Sequence, residues 1–415
     1  MFIRYKAGEK DSVPVAKIYS QKEHNVRNSQ IDKDALWAIR KLQASGHEAY
    51  IVGGALRDIL LGLKPKDFDI ATSASPRQVQ KLFWNARIIG RRFKIVHLYF
   101  NYDKIIEVTT FRSKEENFEE GNNNIYGTIE EDAKRRDFSI NSFYYNPKNG
   151  QLLDFNNAME DFKAQRIRSL IPLTYSFSED PVRMVRAVKY HVTTGFDFDR
   201  PVRKAIKKNA SHLAECSTSR LTEEVSKILS SGRSKDIMLE MKKFKLLVHM
   251  LPCFSLYINY DKVRDSLDEL DASVREAKES GIAIDKANLI YQLIKPLVTL
   301  ENGDLMSPEE RMHEVFRQAK VFISPMTPPN FEVERASQLI LEDMGYKAVK
   351  AKKRSAVSQL PRKKPGDRLG RKSAAPEALS KKPSQHNSKR GNKKPQQRPV
   401  EKRHVQETLA TTHDK

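Results

Sequence analysis

The chain changes composition sharply near Tyr346, and this break limits how much of its 415 residues can fold. Residues 347–415 contain 21 Lys and Arg against 5 Asp and Glu, so this segment carries +16 of the formal net charge of +21. It contains no Phe, Tyr or Trp. Such a segment cannot bury enough apolar surface to offset the entropy of ordering it. We therefore expect a folded region that ends near Tyr346 and a disordered basic tail after it.

The tail carries recurring cationic blocks such as Arg362-Lys363-Lys364 and Lys393-Lys394. Clustered positive charge attracts polyanions, so the tail favours a partner such as RNA, DNA or an acidic surface. A solubilising extension is the alternative. The tail by itself does not choose among these partners.

The remaining composition indicates a cytoplasmic protein that folds without disulfides. The two cysteines, Cys216 and Cys253, have no paired spacing, and the chain is long enough for two or three domains with a sizeable core. Residues 1–19 alternate charged and apolar side chains and do not resemble a signal sequence, and no apolar run approaches the ~18 residues of a membrane span. We expect a reducing, cytoplasmic location.

Hydrophobic periodicity predicts an N-terminal region of mixed helices and strands and a helical region after Asp180. Predicted in chain order are a helix over 33–45, a strand over 50–52, a helix to Leu61, a strand over 67–70, a helix that begins at Ser75-Pro76, and strands over 95–100 and 105–109. A polar stretch over 113–124 predicts a mobile loop. The later helices are predicted over 182–192, 202–213, 221–229 and 237–246. This order indicates an α+β protein.

Gly53-Gly54 follows a predicted strand and opens a predicted helix, with Arg57 and Asp58 in the first turns of that helix. Backbone amides at a helix start bind phosphate, and glycine allows a phosphate to come close. A Gly-Gly pair after a strand is more often a simple tight turn. Its neighbours in the sequence give it weight as a candidate nucleotide site.

Asp67 and Asp69 are separated by one residue on a predicted strand, so we expect both side chains on one face of the sheet. Two adjacent carboxylates repel each other unless a cation lies between them. Mg²⁺ prefers oxygen ligands and keeps substrate phosphates in its coordination shell. The pair is therefore a candidate Mg²⁺ site, about 14 residues after Gly53-Gly54.

A third acidic residue would complete a site for two metal ions, and two candidates remain open. Glu107 lies on the predicted strand 105–109, whereas Asp137 follows Arg135 and Arg136, whose guanidinium groups could hold a triphosphate. Asp137 is also placed to cap a helix predicted over Phe138 to Tyr145.

Glu179-Asp180-Pro181 predicts the start of a helix on which Arg183 and Arg186 lie three residues apart, and so on one face. A solvated helix face is one interpretation. The other is that Asp180 and Arg183 offer an acceptor and a donor to the edge of an incoming base and select it without a nucleic-acid template.

Four segments together resemble the class II nucleotidyltransferase family, which contains tRNA nucleotidyltransferases and bacterial poly(A) polymerases. The segments, in the order and spacing of the family, are Ile51-Val52-Gly53-Gly54-Ala55-Leu56-Arg57-Asp58, Lys66-Asp67-Phe68-Asp69, Arg135-Arg136-Asp137-Phe138-Ser139-Ile140-Asn141 and Glu179-Asp180-Pro181-Val182-Arg183. The resemblance covers about residues 30 to 245 and is thin beyond Leu251.

The resemblance implies a polymerase-β-like palm in which Asp67 and Asp69 bind two Mg²⁺ ions and Asp137 is a further active-site acid. The nucleotide contacts that it implies come from Gly53, Gly54, Arg57, Arg136, Asn141, Asp180, Arg183 and Arg186. The implied organisation is an N-terminal extension over 1–30, a palm over 31–175, a helical neck over 176–250, a helical body over 251–346 and the tail over 347–415.

The implied reaction is attack of an RNA 3′-hydroxyl on the α-phosphate of ATP, with release of pyrophosphate. Poly(A) polymerases and CCA-adding enzymes share the four segments, so the product is a separate question. The segment from Ile88 to His97 and the segment from Gly127 to Ala133 resemble the poly(A) polymerase versions, and the basic tail suits a broad range of RNAs, including mRNA and tRNA. Addition of all or part of a CCA end to tRNA is the first alternative. A non-catalytic RNA-binding protein is the second.

Overall fold

The structure is a computed structural model that describes residues 1–7, 12–90, 94–100, 104–113 and 126–347. Most of the predicted loop over 113–124 and all of the predicted tail except Lys347 lie outside the described residues. Among the residues described, no helix is long and apolar enough to cross a membrane.

A mixed nine-stranded sheet forms the first half of the described chain, in the order β1-β2-β9-β8-β3-β4-β7-β6-β5. The strands are β1 (Phe2–Ala7), β2 (Ser12–Tyr19), β3 (Ala49–Val52), β4 (Asp69–Thr72), β5 (Ala86–Ile89), β6 (Ile95–Phe100), β7 (Lys104–Thr110), β8 (Tyr144–Asn146) and β9 (Gln151–Asp154). Within this sheet the pair β4–β7 is parallel, and the other described pairs are antiparallel.

Five helices accompany these strands in the described residues: α1 (Lys33–Ala44), α2 (Gly54–Leu60), α3 (Pro76–Leu82), α4 (Ile129–Lys134) and α5 (Ala158–Lys163). Asp32 caps α1 through the amide of Asp34, and Ser75 forms a capping box with Gln78 at the start of α3. The first three helices pack their apolar side chains on one face of the sheet, and α4 packs on the other.

Helices make up most of the described chain from residue 173 to residue 347. They are α6 (Leu173–Glu179), α7 (Val182–Thr194), α8 (Arg200–Asn209), α9 (Thr218–Leu229), α10 (Ser234–Lys243), α11 (Leu247–Met250), α12 (Pro252–Ser255), α13 (Asp261–Ser280), α14 (Lys286–Ile294), α15 (Pro308–Ile323) and α16 (Asn330–Asp343). A parallel pair of short strands, β10 (Arg166–Ile167) and β11 (Asp197–Phe198), joins the two regions. The predicted α+β class is thereby confirmed.

One hydrophobic core runs through the helical region and continues into the sheet region. It extends from Phe138 and Ile140 beside the sheet to Ile340 and Leu341 in α16. The hairpin β1–β2 also joins the main sheet through β9. The domain boundaries drawn from the sequence, including the one at residue 30, stay predictions.

The helix predicted over Phe138 to Tyr145 is wrong. Residues Ser139–Asn141 form one 3-10 turn, whose cap is Phe138 rather than Asp137, and Tyr144 begins β8. Phe143 and Tyr145 point into the core on one side of the sheet, and Tyr144 points into the core on the other. An aromatic run with this alternation fits a buried strand better than a helix.

The prediction that Asp67 lies on a strand is also wrong, because β4 begins at Asp69. Val52, the last residue of β3, pairs with Asp69, and the chain then turns at Gly53 into α2. No residue of β3 is left to pair with Phe68 or Asp67. Two later helices also end early: α8 passes into a 3-10 segment at Ala210, and α10 ends at Lys243.

Candidate active site

The backbone turns at Gly53, directly beside the side chain of Asp69. Gly53 has φ +75° and ψ −143°, a conformation that side-chain-bearing residues rarely adopt. A Cβ built at Gly53 would lie 3.2 Å from Oδ2 of Asp69 and 4.0 Å from Nη1 of Arg136. Glycine at this position therefore satisfies both the backbone conformation and the close approach of two predicted site residues.

Asp69 and Glu107 are neighbours across the parallel pair β4–β7. They are register partners, so their side chains share one face of the sheet. Burial raises the pKa of Asp69 to about 6, and the negative charges of Glu107 and Asp67 act in the same direction. Arg136 and Lys227 oppose this rise. Glu107, which the sequence left as one of two candidates, is thus placed beside Asp69.

Asp67 lies just before β4 and is the exposed member of the acidic group. Its side chain is 73% exposed, and Nζ of Lys66 lies 4.0 Å from its Oδ2. Its charge reaches Asp69 strongly enough to raise the pKa of that carboxyl group. Asp67 and Asp69 are separated by one residue along the chain although they do not share a strand.

The donor chemistry of this acidic group fits a hard divalent cation. Asp67, Asp69 and Glu107 offer only oxygen donors, and they repel one another in the absence of a cation. The described residues contain no ready-made group of three or more metal-ligating side chains. Magnesium is usually held by one or two carboxylates, with water and substrate phosphates in its other positions, so such an incomplete protein cage fits it.

Arg136 lies in a buried cluster with Asp132 and Tyr144. Its Nε donates to the Tyr144 hydroxyl at 2.9 Å, its Nη2 lies 3.2 Å from Asp132 Oδ2, and its guanidinium group stacks 4.9 Å from the Tyr144 ring centre. Burial opposes ionisation of Asp132, but Arg136 and Arg135 lower the pKa of its carboxyl group to about 2. The cluster fixes the Arg136 guanidinium group beside Gly53 and Asp69.

Arg57 connects α2 to two other elements of the site. Its Nη1 donates to Oδ1 of Asn141 at 2.9 Å, and Nε and Nη2 donate to Oδ1 of Asp58. The guanidinium group also stacks 4.9 Å from the ring centre of Tyr190 in α7. Arg57 therefore links the 3-10 turn that carries Asn141 to helix α2 and to helix α7.

Asp180, just before α7, is surrounded by arginines. Its Oδ2 lies 3.4 Å from Nη2 of Arg186 and 3.9 Å from Nε of Arg183. Its Oδ1 lies 2.8 Å from Nη2 of Arg220, an ion pair without the alignment of a hydrogen bond. Arg183 donates further to the carbonyl oxygen of Ser176 at 2.9 Å and to Glu179.

Arg186 joins this arginine group to Asp137. Its Nη1 lies 3.6 Å from Oδ2 of Asp137, while Asp137 Oδ1 accepts from the backbone amide of Phe138 at 2.8 Å. Burial acts to lower the pKa of Arg186, but Asp137 and Asp180 raise it above its ordinary value. The structure therefore places Asp137 in contact with Arg186, and Glu107 rather than Asp137 is the acid whose charge raises the pKa of Asp69.

The chain matches two family models in this region. Residues 49–168 match the poly(A) polymerase head domain, and residues 195–257 match the probable RNA- and SrmB-binding site of polymerase A. Poly(A) polymerase I of Haemophilus influenzae is 37% identical over 260 residues, which is 60% of this chain and 57% of that protein. The CCA-adding enzyme of Bacillus velezensis is 35% identical over 226 residues, which is 54% of this chain and 56% of that enzyme.

Solved structures agree with this relationship. A tRNA nucleotidyltransferase in complex with a primer tRNA and an incoming ATP analogue superposes with a TM-score of 0.52 at 26% identity, over 74% of this chain and 84% of that chain. Residues 49–168 therefore form a head domain of the poly(A) polymerase type. The chain spans somewhat more than half the length of the curated relatives that it matches.

The sequence did not reveal one further charged group, which lies on helices α7 and α9. Glu224 is buried, and Nζ of Lys189 lies 3.1 Å from its Oε2, with Nζ of Lys227 3.4 Å from its Oε1. Lys189 and Lys227 lower the pKa of Glu224 against the effect of its burial. The positive charge of Lys227 also acts to lower the pKa of Asp69.

The signals for the missed residues were present but weak. Glu224 and Lys227 are three residues apart on one helix, a spacing that is common on solvated surfaces. Asp132 precedes Arg135 and Arg136 by three and four residues, which is equally common. The burial of the two acids distinguishes them, and burial depends on packing between distant segments.

Proposed function

We propose that this nucleotidyltransferase adds adenylate residues to RNA 3′ ends without a template, using ATP and releasing pyrophosphate. The observation that carries the proposal is the pairing of Asp69 with Glu107 at the start of β4, where Gly53 and Arg136 approach Asp69. Acidic and cationic groups that converge on one point of a sheet suit the transfer of a phosphoryl-type group between two oxygens.

In this proposal the acidic residues bind metal ions and the arginines bind the triphosphate. Asp67 and Asp69, with Glu107 beside them, hold two Mg²⁺ ions, which when bound would favour ionisation of the attacking hydroxyl group and neutralise the departing pyrophosphate. Gly53 and Gly54 leave room for the phosphates next to the acids.

Cationic side chains position the triphosphate and shield its charge. Arg136 is held by Asp132 and Tyr144, and Arg57 is held by Asp58 and Asn141, so both guanidinium groups have fixed orientations before a nucleotide binds. Preorganised cations require little rearrangement when negative charge develops. Asp137 contributes by holding Arg186.

Base selection falls to Asp180, Arg183 and Arg186 at the start of α7. The amino group of adenine is a hydrogen-bond donor and its ring N1 is an acceptor, so the Asp180 carboxylate and the Arg183 guanidinium group complement that edge. The contacts of Asp180 with Arg186 and Arg220 restrict the directions in which its carboxylate can face.

Addition of all or part of a CCA end to tRNA is the second candidate function. Its support is the CCA-adding relative and the tRNA-bound structural neighbour. The four sequence segments that carry the resemblance are shared by both groups, so the nucleotide site does not distinguish the two products.

One gel assay separates these functions. Purified full-length protein, Mg²⁺ and a labelled generic RNA are incubated with each of the four nucleotides separately and then together, and the same is done with tRNA lacking its CCA end. We expect long tracts with ATP alone on both RNAs. Termination after three or fewer additions, with a requirement for CTP on tRNA, would favour CCA addition. No extension under any condition would reject both.

A further inference from the structure

The three strands at one side of the sheet, β7, β6 and β5, have one buried face and one exposed face. Val96, Leu98, Ile106 and Val108 point into the core under α1 and α3. The alternate positions point the other way, and several of them are exposed apolar or aromatic side chains. Tyr99 is 36% exposed, Ile89 is 38% exposed and Ile105 is 40% exposed.

This exposed face is continuous with the acidic site. Asp69 pairs in register with Glu107, Glu107 with His97, and His97 with Arg87. Register partners share a face, so one row of side chains leads from Asp69 across β7 and β6 to β5. Adjacent strands are about 4.8 Å apart, so the row is roughly 14 Å long.

The groups at the far end of the row suit a single-stranded nucleic acid. The Arg87 guanidinium group stacks 5.1 Å from the ring centre of Tyr99, and the His97 ring makes an edge contact with Tyr99 at 6.1 Å. In the part of the chain that the structure describes, no carboxylate lies within ion-pair distance of Arg87, and the nearby Glu107 has its Oε1 3.4 Å from Nε2 of His97. A cation without an acidic partner, beside an exposed aromatic ring, offers one contact for a phosphate and one for a base.

We propose that this outer sheet face, defined by Arg87, Ile89, His97, Tyr99 and Ile105, binds the nucleotides next to the RNA 3′ end. The proposal rests on the proposed function, which brings that end to Asp69. A stacked strand advances about 3.4 Å per nucleotide, so a row of roughly 14 Å accommodates about four nucleotides. Continuity with the acidic site, and an Arg87 charge that meets no carboxylate of the described residues, favour RNA over a protein partner.

Binding measurements with matched variants test the proposal without requiring catalysis. Tyr99→Leu and Arg87→Gln in the full-length protein are compared with Tyr5→Leu, on the opposite edge strand, and Arg40→Gln, on α1. The affinity for a fluorescent oligoadenylate of eight nucleotides is measured by anisotropy. We expect Tyr99→Leu to weaken binding at least about 5-fold, the lower end of the stacking effect for one base. The two control variants should bind like the parent protein.

Abasic RNAs locate the contact. Removal of one base among the second to fourth positions from the 3′ end should weaken binding to the parent protein. In Tyr99→Leu the same removal should lower the RNA affinity only slightly further, because the contact with that base is already lost. If the parent protein extends the RNA, the KM for RNA should rise in Tyr99→Leu while the KM for ATP is unchanged.

Two results would overturn the proposal. One is an RNA affinity of Tyr99→Leu and Arg87→Gln equal to that of the control variants, which would leave the outer sheet face for another partner. The other is that the losses of RNA affinity caused by Tyr99→Leu and by base removal add in full at every abasic position. A protein that binds RNA through this face but adds no nucleotide would refute the proposed function and leave the binding site intact.

Discussion

Asp69 is the residue on which the proposed chemistry depends most. It is the first residue of β4, lies against Gly53 and is the register partner of Glu107 on the adjacent strand β7. The positive charges of Arg136 and Lys227 act to lower its pKa. A carboxyl group with a pKa raised by burial and by like charges is destabilised when ionised, and a bound cation relieves that cost. Such a residue is expected to matter more for activity than for folding.

Replacing Asp69 with Asn should therefore separate catalysis from stability. We expect Asp69→Asn to slow adenylate addition by on the order of 10³-fold, because an amide cannot replace an anionic ligand. The free energy of unfolding should not fall, since repulsion with Glu107 is removed. Single-turnover rates and urea unfolding measure the two effects, with Asp265→Asn as an exposed control. A near-normal rate would refute the assigned site.

Gly53 tests whether close approach to Asp69 matters beyond backbone strain. Gly53→Ala and Gly46→Ala both place a side chain at a positive φ, of +75° and +82° respectively, but a Cβ at Gly46 would meet no atom within 4 Å. Both should destabilise the fold by roughly 1–2 kcal/mol. Only Gly53→Ala should also reduce the rate of adenylate addition, because its methyl group lies against Asp69. Equal rates in the two variants would contradict a role for this contact.

At the scale of elements, the parallel pair β4–β7 and the first turns of α7 do most to assemble the site. Parallel neighbours need a crossover connection, and here α3, β5 and β6 form it. Asp69 and Glu107, which are 38 residues apart in the sequence, are thereby brought side by side. Helix α7 brings Arg183 and Arg186 to Asp180 and places Arg186 against Asp137.

Glu107→Gln tests the acid that the strand pairing adds. If Glu107 supports the metal site, this variant should require a higher Mg²⁺ concentration for its half-maximal rate. Asp137→Asn should mainly raise the KM for ATP, because Asp137 holds Arg186. Magnesium titrations at saturating ATP distinguish the two variants. An unchanged Mg²⁺ requirement in Glu107→Gln, together with a raised one in Asp137→Asn, would reverse the assignment.

Arg183→Ala tests base selection by α7. We expect the ratio of kcat/KM for ATP to that for CTP and UTP to fall, since a polar site that loses one partner discriminates less. Arg264→Ala, on α13, serves as the control. An equal loss of rate with every nucleotide would instead assign Arg183 a structural or phosphate-binding role.

The elements that the sequence predicted are those with local signals. Helices α1 and α3 have capping residues and amphipathic faces, and β3 and β6 are short apolar runs, so all four were predicted. Strands β1, β2, β8 and β9 were missed. They form two local hairpins, β1–β2 and β8–β9, which enter the sheet through the long-range pairs β2–β9 and β3–β8, and such pairing is not readable from local sequence preference. Site residues within family segments were identified by resemblance, whereas Asp132, Arg220 and Glu224 required the packed structure.

For the whole molecule, the most important property is the uneven distribution of charge. Net charge of +16 lies in residues 347–415, and the rest of the chain carries +5. Tyr346 closes the described fold, with its hydroxyl group donating to Asp304 and its ring stacked on Arg311. A truncation after Tyr346 therefore keeps these contacts.

Truncation after Tyr346 should weaken RNA binding without disturbing the chemistry. We expect turnover at saturating RNA to change little. Each phosphate contact that is lost should reduce the magnitude of the log-log salt dependence of binding by about 0.7 on single strands. Binding of the full-length and truncated proteins across a salt series provides the measurement. An identical salt slope would show that the tail does not contact RNA, and a collapse of turnover would give it a part in catalysis.

The position of β5 and β6 has a consequence for how such a protein can diversify. In the sequence they lie between the two strands that carry the acids, but in space they lie beyond β7, at the edge of the sheet. Insertions, deletions or substitutions in this hairpin can alter the outer surface while β4 and β7 stay paired. The surface proposed to contact RNA can thus change its RNA preference separately from the site proposed to form the bond. One reaction centre can then be kept in enzymes that act on different RNA substrates.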